Sequence, residues 1–268
     1  MTPLKFTKMH GAGNDFVMLD ARDIPAGLTL DRTRIAALCD RRMGIGADGL
    51  IILGTSDRAD IRMTYYNADG GEAEMCGNGA RCTVAFAHAQ GLLQTGGLLD
   101  TFAGPLEVKY HGYQDIEVQL PRYTDLAIDF QISGSPYKSQ HTCNTGVPHL
   151  IIPLDDIEDV PVMEHGRSLR RHELFEPAGT NVNWITERNG EWLLRTYERG
   201  VEAETLACGT GASAAAVVLT KLGLANSPVA IRTRGGDLLT ITVDHDDRKL
   251  FLRGPAVVAF QGEVSNYE

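Results

Sequence analysis

One motif occurs twice in this chain, as Met75-Cys76-Gly77-Asn78-Gly79-Ala80 and as Ala207-Cys208-Gly209-Thr210-Gly211-Ala212. In each copy a cysteine precedes two glycines that flank a small polar residue, and an apolar run of helical character follows. Glycine permits a tight turn close to a ligand, and a helix that starts there directs unpaired N–H groups and the positive end of its dipole at the cysteine. Because a helix N-terminus favours the thiolate, both cysteines are predicted to be reactive.

A buried structural cysteine is the competing interpretation, since free cysteine is among the most buried residue types. Two further features argue against it. The two copies carry matching acidic segments in front of them, Glu72-Ala73-Glu74 and Glu202-Ala203-Glu204. In addition, the glycine turns at Gly13 and Gly46 recur 133 residues later, and the cysteines recur 132 residues apart. The repetition favours a functional role for both thiols.

An internal repeat of this length predicts two similar halves. Short apolar segments alternate with helical patterns at Asp31 to Cys39, Ala80 to Gln90 and Gly211 to Leu222, so the expected fold class is α/β with two pseudo-symmetric domains. The change of domain is placed at Pro121, after a pair of alternating segments typical of hairpin strands.

Composition limits the classes of function. A chain of 268 residues with 43% hydrophobic residues can bury a substantial core. Its net charge of -10 argues against a sequence-independent nucleic-acid surface. No segment has the length of a signal peptide core or a membrane span, so a cytoplasmic protein without membrane partners is expected. The five cysteines form no Cys-x-x-Cys pair, and reduced thiols without a metal are expected.

Two thiols from opposite halves suit the inversion of a stereocentre. One thiolate removes a proton from carbon, and the opposed thiol returns a proton to the other face. The negative charge that develops in a substrate carboxylate is predicted to be stabilised by backbone N–H groups of Gly77-Asn78 and Gly209-Thr210. No lysine stands out as a residue that would form a Schiff base with pyridoxal phosphate.

Charged and amide side chains near the motifs are candidates for substrate binding. Glu198 and Arg199 follow the apparent strand Trp192 to Tyr197, and can bind an ammonium group and a carboxylate. Three asparagines in loops of the repeated framework can orient a zwitterion, namely Asn14, Asn67 and Asn181. A surface ion pair and turn-forming asparagines are the alternatives.

His149 takes the repeat position of Asp15. It is either a histidine of the core with its hydrogen bonds satisfied, or a residue near a thiol that tunes the thiol's protonation. The second interpretation is preferred.

These residues and motifs resemble the diaminopimelate epimerase family. The matching stretches follow the family's order over most of the chain, and are Lys8 to Phe16, Asn67-Ala68-Asp69-Gly70, Cys76 to Cys82, Gly179-Thr180-Asn181-Val182, Tyr197-Glu198-Arg199-Gly200 and Ala207 to Gly211. The resemblance implies a cofactor-independent isomerase that interconverts LL- and meso-2,6-diaminopimelate in lysine and peptidoglycan biosynthesis. Its partners would be this small-molecule substrate and, in a homodimer, a second copy of the chain.

The resemblance also implies a role for each matched residue. Cys76 and Cys208 would be the acid/base residues, supported in their protonation by His149 and Glu198. The amides of Gly77, Asn78, Gly209 and Thr210 would hold the reacting carboxylate. The rest of the substrate would be bound by Asn14, Asn67, Asn181, Glu198 and Arg199, with Arg199 at the distal carboxylate.

The implied fold has two similar domains, each a curled, mostly antiparallel sheet around a central helix. The first would comprise residues 1–120 plus about 256–268 and carry Cys76, because the family's last strand returns to the first domain. The second would comprise residues 121–255 and carry Cys208.

Three departures from the family pattern affect substrate contacts. Val147 stands where many members have asparagine, and Gly49 replaces a glutamine that some members use in binding. The segment Val201 to Glu204 is one residue longer than in the shorter family pattern. Two alternatives remain open: a cofactor-free racemase for another amino acid on the same fold, and a non-catalytic amino-acid-binding or thiol-redox protein.

Overall fold

The computed structural model describes residues 2–73 and 76–265, which form two compact units. The first unit runs up to Val118 and resumes at Gly254, and the second unit spans Gln119–Arg253. Some predicted features fall on Glu74, Met75 and residues 266–268, which lie outside the described residues. Within the described ranges, no helix is both long and apolar enough to cross a membrane.

In its described residues, the first unit contains strands and two α-helices. Its elements are β1 (Leu4–Gly11), β2 (Asn14–Asp20), α1 (Arg32–Cys39), β3 (Gly49–Gly54), β4 (Ile61–Asn67), β5 (Glu72–Ala73), α2 (Gly77–Ala89), β6 (Gly96–Thr101), β7 (Gly104–Gly112), β8 (Asp115–Leu120) and β18 (Val257–Val264). Antiparallel pairs are β18–β1, β1–β2, β3–β4, β4–β5, β6–β7 and β7–β8. Parallel pairs are β2–β3 and β4–β6.

The second unit repeats this order. Its elements are β9 (Thr124–Ala127), β10 (His141–Asn144), β11 (Pro148–Pro153), α3 (Val162–Arg170), β12 (Asn181–Arg188), β13 (Glu191–Glu198), β14 (Ala203–Thr205), α4 (Gly209–Lys221), β15 (Val229–Arg232), β16 (Leu238–Asp244) and β17 (Lys249–Gly254). Antiparallel pairs are β9–β10, β10–β11, β12–β13, β13–β14, β15–β16 and β16–β17, and the parallel pairs are β11–β12 and β13–β15. The predicted α/β fold class with a mostly antiparallel sheet in each half is confirmed.

A buried helix lies against the sheet in each unit. Helix α2 contacts β1 to β4 and β7, and α4 contacts β10, β11, β12, β15 and β16. From Ala212 to Leu219 the side chains of α4 are fully buried, which fits their small apolar character. A helix buried in this way holds its N-terminus rigidly, which suits the placement of a reactive group.

The shorter helices complete the hydrophobic cores. Asp31 caps α1 by accepting a hydrogen bond from the Arg34 amide at 2.9 Å, as its position in the sequence predicts. Ile35 and Leu38 of α1 pack with the buried strand residues of β2 and β3. In the second unit, Val162 and Leu169 of α3 pack against Trp184.

Strand register fixes which residues occupy equivalent places in the two units. The β1–β2 turn has two residues, Ala12 and Gly13, both with positive φ, which is typical of a tight hairpin. The β10–β11 turn has three residues, between Asn144 and Pro148. The additional residue places His149, opposite Cys143, in the position that Asp15 occupies opposite His10.

Candidate active site

Each motif cysteine is the N-cap residue of a buried helix. Cys76 precedes α2 with φ −140° and ψ 117°, and Cys208 precedes α4 with φ −129° and ψ 104°. Neither thiol caps its own helix. The backbone N–H groups of the first helical turn have no acceptor within the helix. They lie at the N-terminal end of the helix, where the cysteine is also located. Both helices begin earlier than the apolar patterns from Ala80 and Gly211 predict.

The other three cysteines differ chemically from these two. Burial raises the pKa of Cys39 to about 11, and it raises the pKa of Cys82 and of Cys143 to about 12. At neutral pH these three side chains are protonated thiols within the core. They are therefore poor acid/base catalysts, and their environments lack the helix N-terminus that the motif cysteines have.

Amide side chains surround Cys76 in the first unit. The Cys76 thiol donates to Asn14 Oδ1 at 3.4 Å, and Asn78 Nδ2 donates to the same oxygen at 3.4 Å. Arg81, which is fully buried, donates to Asn78 Oδ1 at 2.8 Å. The structure thus brings together Cys76, Asn14 and Asn78 from the predicted set, and Arg81 fixes the direction of the Asn78 amide.

Asn67 lies at the exposed end of β4. Tyr65 Oη donates to Asn67 Oδ1 at 3.1 Å, which leaves the Asn67 Nδ2 group to donate to a ligand. Gly49 is buried beside this strand, and a Cβ at this position would overlap the Tyr66 carbonyl oxygen and the Tyr65 ring. A larger residue at 49 would therefore require β4 to shift, which is a physical reason for glycine here.

In the second unit, Cys208 Sγ lies 3.5 Å from Thr210 Oγ1. Thr145 Oγ1 donates to the Thr210 carbonyl at 2.9 Å and ties the β10–β11 turn to the first turn of α4. Gly211 is closely packed as well. A Cβ there would lie 3.3 Å from Cys208 Sγ and would overlap Asn183 Oδ1.

His149 is buried and neutral. Asn183 Oδ1 accepts from Thr196 Oγ1 at 2.9 Å, so Asn183 Nδ2 is directed to His149 Nδ1 at 3.1 Å. His149 Nδ1 must then accept, and the ring proton lies on Nε2. Within the described residues His149 Nε2 has no hydrogen-bond partner. Burial, reinforced by the charge of Arg199, lowers the His149 pKa from 6.5 to about 3.

This depressed pKa predicts acid sensitivity. In the unfolded chain His149 binds a proton below about pH 6.5, whereas in the folded protein it does so only near pH 3, so its contribution to stability is lost as the pH falls through that window. We expect the free energy of unfolding to fall by up to about 1.4 kcal/mol per pH unit from this group. Urea unfolding from pH 7 to 4 should show a shallower acid loss for His149→Gln than for wild type. An equal pH dependence of the unfolding free energy in the two proteins would show that His149 does not cause the acid sensitivity.

Arg199 is held through Asn181. Asn181 Oδ1 accepts from the Arg199 amide at 2.8 Å, and Asn181 Nδ2 donates to the Pro148 carbonyl at 3.1 Å. The Arg199 guanidinium donates to the Ala178 carbonyl at 3.1 Å. Both Asn181 and Arg199 thus lie where β11, β12 and β13 meet, with Glu198 half-buried as the last residue of β13.

The longer segment after Arg199 has its own anchor. Glu202, with a positive φ of 59°, accepts from Arg170 Nε at 2.8 Å and from Tyr197 Oη at 3.3 Å. Its amide donates to the Glu198 carbonyl at 2.8 Å, which closes the turn. Val147 lies in the three-residue β10–β11 turn and supplies no side-chain amide.

Several residues of the site were missed by sequence reasoning. They are Asp48, Tyr65, Arg81, Thr145 and Asn183, and each one fixes the geometry of a predicted residue. Arg81 carried a signal, because it is a charged residue inside an apolar helical run and directly follows the first cysteine motif. The others act across long sequence separations.

Comparisons with known proteins agree with this architecture. A solved phenazine biosynthesis protein of the PhzF family from Bacillus anthracis matches with a TM-score of 0.74 and 17% identity, covering 99% of this chain and 100% of that chain. This likeness defines the fold class as that of an α/β protein of the PhzF type.

The sequence comparisons identify the family. The diaminopimelate epimerase family matches residues 6–123 and 141–259. A diaminopimelate epimerase from Aquifex aeolicus is 39% identical, covering 98% of each chain. Another from Gemmatimonas aurantiaca is 41% identical, covering 98% of this chain and 99% of the relative. The chain belongs to the diaminopimelate epimerase family and is an isomerase, which confirms the resemblance predicted from the motifs.

Proposed function

We propose that this enzyme interconverts LL- and meso-2,6-diaminopimelate by a two-base mechanism without a cofactor. The thiolate of one motif cysteine, Cys76 or Cys208, takes the α-proton and becomes a thiol. The thiol of the other gives its proton to the opposite face of the carbanion and becomes a thiolate. The reverse reaction exchanges the two roles, so atoms and charge balance in both directions.

The observation that carries this proposal is the equivalent placement of two thiols. Cys76 and Cys208 each stand at the positive end of a buried helix, at the same point in the element order of the two units. The other cysteines have a pKa raised to about 11 or 12 by burial. Acid/base work needs a group that titrates near the working pH, and a helix N-terminus favours the thiolate.

The first turns of α2 and α4 are the proposed site for the reacting carboxylate. Backbone N–H groups of Gly77, Asn78, Gly209 and Thr210 lie in these turns, where the helix leaves donors unused. Charge moves into the carboxylate as the proton leaves carbon. Fixed donors aimed at that charge stabilise the transition state more than the ground state.

The remaining polar residues are proposed to bind the distal end of the substrate. Arg199 suits a carboxylate, and Glu198 suits an ammonium group. The Asn67 amide completes the set, and Asn181 acts through the Arg199 backbone. Asn14, whose oxygen faces the Cys76 thiol, is proposed to act at the reacting end of the substrate. His149 Nε2–H is a buried donor suited to a developing thiolate, and Glu198 is proposed to share this supporting role.

We further propose that the enzyme acts in lysine and peptidoglycan biosynthesis. We propose the cytoplasm as its location, because its mechanism requires reduced thiols. A homodimer is also proposed. Its support is a partly apolar cavity of about 860 Å³ in the first unit, lined among others by Met43 and Phe260, whose side chains are 90% and 49% exposed. Sedimentation equilibrium tests this assembly.

Proton exchange at the α-carbon tests the substrate. The reduced enzyme is incubated in D2O with LL- or meso-diaminopimelate, and NMR follows both the α-proton and the diastereomer. We expect exchange accompanied by inversion with both isomers, and none with proline or hydroxyproline. Exchange with other amino acids but not with diaminopimelate would assign a different substrate to this enzyme. Binding of diaminopimelate without exchange would favour a binding protein.

A further inference from the structure

The orientation of the Asn14 side chain depends on one carboxylate. Asn14 Nδ2 donates to Asp48 Oδ2 at 2.7 Å, across 34 residues of sequence. With Nδ2 directed to Asp48, the amide oxygen faces the other way, where it accepts from the Cys76 thiol and from Asn78 Nδ2. A rotated amide would instead direct two donors at Cys76 and an oxygen at the carboxylate.

Asp48 is itself held firmly. Arg41 Nη2 donates to Asp48 Oδ1 at 2.7 Å, and the Asp48 amide donates to Asp15 Oδ1 at 3.0 Å. Asp15 also binds Arg41 and lies 2.7 Å from Lys8 Nζ. Burial opposes the charge on Asp15, but hydrogen bonds from Arg41 and Lys8 hold its pKa well below the usual range. The loop that carries Asp48 is therefore tied to β1 and β2 by ionic hydrogen bonds.

The second unit lacks this arrangement. By strand register Asn181 takes the place of Asp48, since Asn181 pairs with His149 in the parallel β11–β12 ladder. Its side chain holds backbone atoms of Pro148 and Arg199. Cys208 Sγ lies 3.5 Å from the Thr210 hydroxyl, which can donate or accept. Among the described residues, an amide whose direction a carboxylate fixes therefore faces Cys76, and the residue in the place of Asp48 in the second unit is not a carboxylate.

We propose that Asp48 is a positioning residue for Cys76: it locks the Asn14 amide so that a carbonyl oxygen faces the thiol and stabilises its protonated, proton-donating form. An acceptor stabilises S–H and repels a thiolate, because the oxygen carries partial negative charge. The inference rests on the proposed acid/base role of Cys76. It adds a difference between two thiols that the repeat makes look equivalent.

Alkylation of each cysteine tests this proposal without requiring turnover. Iodoacetamide reacts with the thiolate, and peptide mass spectrometry measures the rates at Cys76 and Cys208 separately. At pH 7 we expect Asp48→Ala to raise the Cys76 rate about fivefold, as loss of one hydrogen bond permits, and to leave Cys208 unchanged. The same variant should lower kcat about 10-fold with a smaller change in KM.

Three comparisons separate positioning from general damage. Asp48→Asn keeps the side-chain volume, but Arg41 should take its oxygen and leave an amide donor facing Asn14, so the same direction of change is expected. Asp40→Ala removes a carboxylate of the same loop that caps the Arg42 and Met43 amides, and it should leave both cysteine rates unchanged. In an Asn14→Ala background, Asp48→Ala should have no further effect.

Two outcomes would overturn the proposal. One is equal acceleration at Cys76 and Cys208 in Asp48→Ala, which would indicate loosening of the whole protein. The other is an unchanged Cys76 rate in both Asp48 variants while their thermal unfolding matches wild type. Absence of epimerase activity in the wild type would overturn the proposed function instead, and it would leave the alkylation result intact.

Discussion

Cys76→Ala and Cys208→Ala should each lower kcat by about 10³-fold or more, since each removes one of two proton-transfer groups. Neither thiol caps its helix, so loss of the sulfur should cost little folding stability. Conversion of LL- to meso-diaminopimelate, followed by chiral chromatography, measures the activity. Thermal unfolding measures the fold in the same samples.

Cys82→Ala is the matched control for this pair. Cys82 lies in α2, six residues after Cys76, and its pKa is raised to about 12 by complete burial. The substitution should lower the melting temperature slightly and leave kcat within about threefold of wild type, since a buried, protonated thiol takes no part in proton transfer. Retained epimerisation in either Cys76→Ala or Cys208→Ala would exclude the two-base mechanism.

Gly211→Ala should have the second largest effect. The added Cβ would overlap Asn183 Oδ1 and lie 3.3 Å from Cys208 Sγ. The Asn183 side chain cannot rotate easily, because its amide group makes hydrogen bonds to Thr196, His149 and the Leu150 carbonyl. We expect a loss of about 2 kcal/mol in the free energy of unfolding and about 30-fold in kcat, measured by urea unfolding and by initial rates.

Gly79→Ala is the corresponding change in α2. Its Cβ would meet the terminal Cδ1 of Ile51 at 2.8 Å, and a flexible side-chain end can move. Both substitutions replace the second glycine of a cysteine motif with the better helix former. A similar loss in Gly79→Ala and Gly211→Ala would indicate a general intolerance of side chains there, and it would contradict the specific role of Asn183.

The repeat in the sequence predicts much of the fold, because glycine turns and buried helices leave local patterns. The pattern after Cys208 predicts α4 well, since its alanines and valines are apolar on all sides. It places the helix start late, because Gly209 and Thr210 have weak helix propensity. In the structure Thr145 Oγ1 donates to the Thr210 carbonyl in this first turn. The strand β10 was missed, since four residues carry too little alternation.

The residues that hold the site residues in place are harder to predict from the sequence. Asp48 and Asn14 are 34 residues apart, and Thr145 and Thr210 are 65 residues apart, so only folding brings them together. Asn181 was predicted from its loop position to bind substrate. In the structure its side-chain amide makes hydrogen bonds to the Pro148 carbonyl and the Arg199 backbone N–H. Whether a side chain binds substrate or holds the backbone depends on the direction in which it points. A sequence pattern does not specify that direction.

In the proposed mechanism, one cysteine removes the proton and the other delivers a different proton. The most direct measurement is the first turnover in D2O, in which mass spectrometry compares product with recovered substrate. We expect product that carries one solvent deuterium at the α-carbon while the recovered substrate still holds protium, because the proton removed by one cysteine is not the one delivered by the other. Product that retains the substrate's own protium would show a single base acting on both faces and would exclude the two-cysteine mechanism.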